Sequence, residues 1–584
     1  MATSSGNQHN GALTVDQLRT ELLQKYEEDP RLEPFIKILN AVEAPEIDYA
    51  SSEVDIIIQD LKKLNSELIP EKPQKKLIIH PLLWVCSCRI VRWAARQRDK
   101  PRVRVAGFRH SWSDIFGQDG DVVIMFLPYD TLVKIPYHSP DPSWRSELTG
   151  RNTIHLVNSV AGQAPPAGHA FCKVMAGVTN DQFREWSFEN KTVCIPFNVI
   201  MVEITLGGSN APVCHGAGFS SSTLSDLVKE ITYVDAMVDM MGVTEMSPIK
   251  LPLPLTIPPP TGYKVPWQVK AMMVLNCIGE KELEKARQDF IDRCEKDYYL
   301  EWFWFPYQTD CWVNTWSKRP PNSHDVNLKA YPQEDGLNGV KSQQVQATLA
   351  EEITSCPLFE DLKGHMQAYV LSLGSMLALP DIKDSKDAIK TYVSEALHFR
   401  RGIQNFRCLD TEWEIPITTV NGARNYEQIQ RAWWDAISLI YSRDDAPVRV
   451  ALEMRLTGGS DVLLAPQRGN STAGTASIEI LTTLITPPAS WASVMQQAAD
   501  IWATPELKDE HGKTLYPRLH WAKQWTGLKV RGKAIKTYLK EDAYKEAFAE
   551  FRTTFEQIVT KRGSSVEQTL AMFGNPMMID LIFN

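Results

Sequence analysis

The residues whose types and spacing could do chemistry fall in two halves of the chain. In VRVAGFRHSWSDI, residues 103–115, a strand-like run ends at a glycine that lets the backbone approach something flat, and His110, Ser111 and Trp112 follow it. A lone histidine is ordinarily a surface or core residue with its ring nitrogens satisfied, but this one has company. Gly207, Gly208, Gly216 and Gly218, with Ser220, Ser221, Ser222 and Thr223 among them, make a run of N–H and hydroxyl donors of the kind that wraps a pyrophosphate. Further on, VRVALEMRL places Glu453 and Arg455 two residues apart, so on a strand both point to one face. Such a pair is by default a solvated sheet face. Here Val450, Leu452, Met454 and Leu456 around it are apolar, and Glu301 opens a second, aromatic strand, EWFWFPYQTDCWVNTW. The alternation therefore puts charge on one wall of a sheet that covers something.

The elements that must position these residues follow from composition and periodicity. With 584 residues, 43% apolar and 23% charged, the chain is too long for one core and has an ordinary globular make-up. Residues 1–70 read as a helical extension, with Leu18, Leu22 and Tyr26 on one face and then Val54, Ile57, Ile58 and Leu61. Residues 71–248 change to short β-branched runs around a helix at VCSCRIVRWAARQ, an α+β domain. In 249–262, Pro252, Pro254, Pro258, Pro259 and Pro260 remove backbone donors and predict a linker that neither helix nor central strand crosses. A second domain spans 263–497, with a helix at 280–299, the aromatic strand, a helix-rich stretch to about residue 400, and the strands LDTEWEIPI and VRVALEMRL. Residues 498–584 read as helical.

The net charge of -9 gives no field to collect a polyanion, so nucleic acid is not expected as a partner. The first residues show neither a basic nor an apolar leader region, and no stretch nears the ~20 apolar residues that cross a bilayer. Of ten cysteines only Cys86 and Cys88 lie close together, in a spacing that suits neither a zinc ribbon nor a dithiol, so reduced thiols, no metal and a cytoplasmic address are expected.

The segments from 75 to 236, taken in order, resemble the FAD-binding domain of the vanillyl-alcohol oxidase superfamily. There a strand is followed by G-x-x-H-S-W, a distant A-G-V, a short helix, a glycine-rich stretch with H-G, and T-L-S-D-x-V-x-x-I-x-x-V-D-A. Here those are Gly107 to Trp112, VMAGV at 174–178, Gly207 to Ser222 with His215 and Gly216, and TLSDLVKEITYVDA. The resemblance implies a two-domain PCMH-type FAD-binding fold with a large α/β substrate (cap) domain built on an antiparallel sheet. It implies that Gly107, Phe108, Arg109, His110, Ser111, Trp112, Gly177, Gly207, Gly208, His215, Gly216, Ser220, Ser221 and Ser222 lie at the cofactor. It also places His110 where a histidine is bonded to the flavin 8α-methyl; a neutral imidazole nitrogen can attack the electrophilic quinone-methide form of that carbon, and the link raises the flavin potential.

The second half is similar to the covalent-flavin (type II) cholesterol oxidases and their relatives. That likeness implies Glu301 and Glu453 as carboxylates near the reacting carbon, either of them the base, Arg455 as their movable partner, and Asn575, in FGN, near the substrate oxygen or flavin. RLHWAKQW, with Lys523, resembles the H-W-x-K of aldonolactone and sugar-alcohol oxidases, where a lysine stabilises reduced flavin. The leading expectation is oxidation of a bulky, largely apolar alcohol with molecular oxygen as acceptor, its pocket drawn from Trp302, Phe303, Trp304, Phe305, Trp312 and Trp316. A sugar-alcohol or aldonolactone oxidase is the alternative. One departure matters. After VDA at 234–236 the superfamily continues through a helix and strand that complete the flavin-binding sheet, whereas here VDAMVDMMGVTEMSPI runs straight to the prolines. Loss of that strand exposes a sheet edge, and it favours a third reading, an inactive scaffold without flavin.

Overall fold

In the computed structural model the described residues are 77–79, a few positions at 91–95 and, short gaps apart, 100–125, 154–325, 353–397 and 408–584. The extension at 1–70, the helix at VCSCRIVRWAARQ for the most part, and Arg109 lie outside them. Three short runs, β1 (Leu77–Ile79), β2 (Val103–Ala106) and β3 (Val122–Met125), form a parallel sheet in the order β1-β3-β2. A second, antiparallel sheet is built from β4 (His155–Val157), β5 (His169–Val174), β6 (Val193–Cys194), β7 (Val228–Ile231) and β8 (Val234–Met240), with β8 between β5 on one side and β6 and β7 on the other. The helix α1 (Asn180–Asn190) and the five-residue α2 (Leu206–Asn210) connect them.

β8 is followed after two residues by β9 (Val243–Met246), which already belongs to the other half of the molecule. The 249–262 stretch is not a free linker. β10 (Ile249–Pro252) pairs with Asp310–Val313 of a neighbouring strand, α3 (Leu253–Thr256) adds one helical turn, and Leu253 and Ile257 are fully buried. Prolines are compatible with this because among the described residues no strand lies on the outer side of β10; the outward Lys250 N–H donates to the Asp381 carboxylate instead, at 3.1 Å.

After α4 (Glu280–Lys296) the aromatic run is a hairpin rather than one strand, β11 (Tyr299–Trp304) and β12 (Asp310–Arg319), because Pro306 and Tyr307, the latter at φ +66°, turn the chain. Then come α5 (Gly364–Ala378), β13 (Ile389–Tyr392), β14 (Cys408–Pro416) and a small hairpin of β15 (Thr418–Val420) and β16 (Ala423–Asn425). The helix α6 (Glu427–Tyr441), β17 (Ala451–Thr457), β18 (Thr475–Thr483) and α7 (Pro488–Ala503) complete the domain. Residues 507–534 are not helical: β19 (Leu507–Lys508) with β20 (Thr514–Leu515) and β22 (Lys529–Val530) with β23 (Lys533–Ala534) are small hairpins flanking β21 (Arg518–Leu519). The helices α8 (Lys545–Lys561), α9 (Val566–Phe573) and α10 (Pro576–Ile582) end the chain.

The result is a nine-stranded antiparallel sheet in the order β13-β9-β12-β11-β17-β18-β14-β21, with β10 beside β12. Strand alternation gives it two unlike faces. Trp302, Trp304, Leu452, Met454, Ile478, Ile480, Trp413 and Ile415 point one way and bury in one core with Ile429, Trp433 and Ile437 of α6 and Val494, Ala498 and Trp502 of α7. Those helix residues recur at four-residue spacings, as one face of an amphipathic helix on a sheet requires. The opposite face carries the charge. Among the described residues no helix is long and apolar enough to cross a membrane, and no cysteine forms a disulfide.

Candidate active site

The charged face is set by register. Phe303, Glu453, Glu479 and Glu412 stand opposite one another across β11, β17, β18 and β14, and Glu301, Arg455, Ser477 and Glu414 form the adjacent row. Asp410, two residues before Glu412, points the same way. Like charges directly opposite are unfavourable in a sheet unless cations lie between them, and two do. Arg455 donates from Nε to Glu301 at 3.0 Å, from Nη2 to Glu453 at 2.7 Å, and from Nη1 to Glu479. Lys523, from the turn after β21, donates to Glu479 at 2.7 Å and to Asp410, and lies 3.4 Å from Glu412.

A third positive group comes from the other half of the molecule. His215, in the turn after α2, reaches the sheet with Nε2 at 3.3 Å from Glu412 and 3.1 Å from Glu414. Its Nδ1 lies 2.8 Å from the Gly216 carbonyl, which can only accept, so Nδ1 carries a proton. Burial alone would lower its pKa, but Glu414 and Glu412 raise it well above the usual histidine value, making it an imidazolium. Its neighbour His520 is the opposite case, pushed by burial down to about 4 and hence neutral.

Five buried carboxylates and the partly exposed Glu453 thus meet three positive groups, Arg455, Lys523 and His215. Burial, reinforced by the charge of Glu479, lifts Glu453 and Asp410 well above the usual carboxylate range. Burial also raises Glu301 and Glu414, against the pull of Arg455 and His215. Glu412 is lowered well below its usual value, since Lys523 and His215 outweigh burial; Lys523 and Arg455 likewise outweigh burial and Glu412 to hold Glu479 at about 2. The ligand atoms of His215, Glu412 and His520 lie within 4.8 Å of one another, a spacing that could suit a metal ion. However, His520 Nδ1 accepts the Ala522 N–H, so its proton sits on Nε2 and the ring offers no lone pair as hydrogen-bonded.

Only part of the cluster meets solvent: the side chains of Glu453, Arg455 and Lys523 are 12%, 13% and 16% exposed, against 0% for Glu301. Beside Glu453 on the same face lie Phe303, Phe305, Trp312, Met376 and Ala451, an apolar patch. The six aromatics expected to line a pocket therefore separate, with Trp302 and Trp304 in the helix-side core and Trp316 packed with Tyr299 in another cluster.

The turn at 107–112 reaches this face from the parallel sheet. A Cβ on Gly107 would come within 2.4 Å of Thr205 Oγ1, so glycine is needed where this turn meets the cap of α2. Phe108 is buried and stacks on His110, ring centroids 5.8 Å apart, while His110 and Ser111 are half-buried. Trp112 donates from its indole to the Cys408 carbonyl at 2.7 Å and from its backbone to Ala522 at 2.6 Å, and Lys523 Nζ sits 5.0 Å from its ring centre. Gly177 is buried.

In the glycine-rich stretch the N–H groups of Leu206, Gly207, Gly208 and Ser209 bond to Val178, Ala176 and Thr205, and Gly218 N–H bonds to Leu456 of β17. The Cβ of a residue at 216 would press on Phe197; Ser221 donates to Ala217, Ser222 is half-buried and Ser220 is exposed. Asn575 caps α10 by accepting the Met578 N–H at 3.0 Å and donates to the Asp114 carbonyl at 2.7 Å. Asp410, Glu412, Glu414, Glu479 and His520 were missed in the sequence. The alternation in LDTEWEIPI and the glutamate inside ASIEIL were the available signals, and His520 stands within the motif that pointed to Lys523.

No protein-family profile and no curated protein matches the chain. Solved structures do. A solvent-stable cholesterol oxidase is 15% identical, covering 81% of this chain and 90% of its own, with a TM-score of 0.51. The cholesterol oxidase of B. sterolicum is 13% identical, covering 88% and 99%, at 0.53, and a variant of the Brevibacterium sterolicum enzyme is 12% identical, covering 87% and 94%, at 0.54. The fold is shared with the cholesterol oxidases. In a cholesterol-oxidase fold, then, this chain places a dense acid and base network on the face of the large antiparallel sheet where the turn at 107–112 meets it.

Proposed function

We propose that the protein is an FAD-dependent oxidoreductase that oxidises the CH–OH group of a bulky, apolar alcohol. The observation that carries this reading is Glu453, a partly exposed carboxyl with its pKa raised by burial and by Glu479, standing between Arg455 and the apolar patch of Phe303, Phe305, Trp312 and Met376.

The residues present fit a flavin on the side of the 107–112 turn, whose glycine is required by its close approach to Thr205 and which ends in a half-buried histidine. Gly107, Phe108, His110, Ser111 and Trp112 would hold the group there, with the bond through His110. Bound in this way, the flavin supplies the acceptor for the substrate's hydride. The chain's own residues handle the rest. The apolar patch seats the hydrocarbon and excludes water, and the ionised form of Glu453, with Glu301 behind Arg455, takes the hydroxyl proton as the carbonyl forms. Arg455 stabilises the alkoxide that develops. Lys523 keeps Glu479 and Glu412 ionised.

Purified protein offered sterols, long-chain secondary alcohols, polyols and aldonolactones, with peroxide release followed in air and flavin bleaching without it, tests this. Turnover of the apolar alcohols is expected, and bleaching without peroxide would make the protein a dehydrogenase. Turnover of polyols alone would replace the apolar assignment with the sugar-alcohol one. A flavin-free scaffold is the second reading, favoured by the N–H groups of 206–209 being taken up inside the protein; it requires a colourless protein.

A further inference from the structure

We propose that Glu479 is a positioning residue: its two oxygens fix Arg455 and Lys523 along the charged face, and its charge faces Glu453 across the β17–β18 pair. The proposal rests on the oxidoreductase reading for its catalytic consequence, but its geometry stands alone. Glu301 and Glu453 are paired with Arg455, and Asp410 and Glu412 with Lys523; among the described carboxylates Glu479 bonds both cations, Oε1 to Arg455 and Oε2 to Lys523 at 2.7 Å.

Its side chain is 4% exposed, and its cross-strand neighbours are Glu453 on one side and Glu412 on the other. Three carboxylates in line are a costly arrangement. An apolar residue would satisfy the strand, since Ile478 and Ile480 beside it already serve the core on the other face. What only a carboxylate at 479 can do is accept from a guanidinium and an ammonium at once. The other charged or titratable groups about it are Glu301 from β11, Glu453 and Arg455 from β17, Cys408, Asp410 and Glu412 from β14, Lys523 and His520 from the turn after β21, and His215 from the turn after α2.

Two substitutions separate charge from reach. Glu479→Gln removes the charge opposite Glu453 and leaves one acceptor for two cations. Glu453 should then ionise more readily, moving the acid limb of kcat/KM down by about one pH unit. The infrared carbonyl band of the protonated carboxyl, identified by its loss in Glu453→Gln, should disappear about one unit lower in the same variant. That band needs neither flavin nor turnover, so it decides the role of Glu479 even if no alcohol is oxidised, which would sink only the parent reading. Glu479→Asp keeps the charge but is a methylene short. It should leave the band within about half a unit of wild type while kcat falls about tenfold as one cation is released. An unmoved band in folded Glu479→Gln overturns the proposal. If that variant does not fold, a Glu479→Asp enzyme with wild-type kcat overturns it.

Discussion

Arg455 is the cation on which the first three carboxylates of the charged face depend, and its loss would leave Glu301, Glu453 and Glu479 buried without their nearest positive charge. Arg455→Ala should therefore cost about 3–5 kcal/mol in urea unfolding, the usual penalty for removing one partner of a buried pair; a loss under about 1 kcal/mol would mean that the face is wetter than its burial indicates. Acid stability has a definite sign. Glu479, held at about 2, binds a proton less readily folded than unfolded, so its contribution is complete above the ordinary value of about 4.3 and is lost as pH falls toward 2. His520, held at about 4, acts in the same sense, complete above about 6.5 and lost toward 4. Glu453 and Asp410 act oppositely, stabilising most at low pH and losing their contribution as pH rises through their raised values. Melting curves from about pH 6 to 2 should fall less steeply in Glu479→Gln than in wild type. At this scale Glu453 and Arg455 were legible in the sequence because spacing within one strand decides a face, and Glu301 because it opens the aromatic strand. Asp410, Glu412 and Glu479 were not, because they matter only through the register of strands far apart in the chain, which sets Glu412 opposite Glu479 and Glu479 opposite Glu453.

Elements show the same division between local and non-local information. Whereas α6, between β14 and β17, was not anticipated, the helix α4 and those two strands follow from periodicity and lie where the sequence places them. The proline stretch does not, since proline excludes a central strand but leaves an edge strand open, and only the partner β12 shows which applies. Leu253→Ala is the test: a fully buried leucine should cost about 2–5 kcal/mol in chemical denaturation, whereas a solvated linker would cost almost nothing. The aromatic run from 301 to 316 was read as one strand because its composition is continuous; the turn at Pro306 and Tyr307 splits it, and so sends Phe303 and Trp312 to the charged face and Trp302 and Trp304 to the core.

Across the whole molecule, the two halves are tied at the charged face itself. His215 bridges to Glu412 and Glu414, Ser113 donates to the Trp521 carbonyl at 2.6 Å, and Asn575 joins α10 to the loop after the 107–112 turn. The two-residue passage from β8 to β9 is the covalent counterpart of these ties. Asn575→Ala should remove a helix cap and the bond to Asp114 together, lowering stability by about 1–2 kcal/mol in thermal unfolding; an unchanged melt with altered turnover would instead assign Asn575 to the substrate. The central claim is that the turn at 107–112 holds a flavin joined to His110. Its most direct test is the visible spectrum of the purified chain before and after acid precipitation, with the mass of the peptide that contains His110. The account predicts a yellow protein whose colour stays with the pellet and a peptide heavier by one FAD; a colourless protein with an unmodified peptide would contradict it.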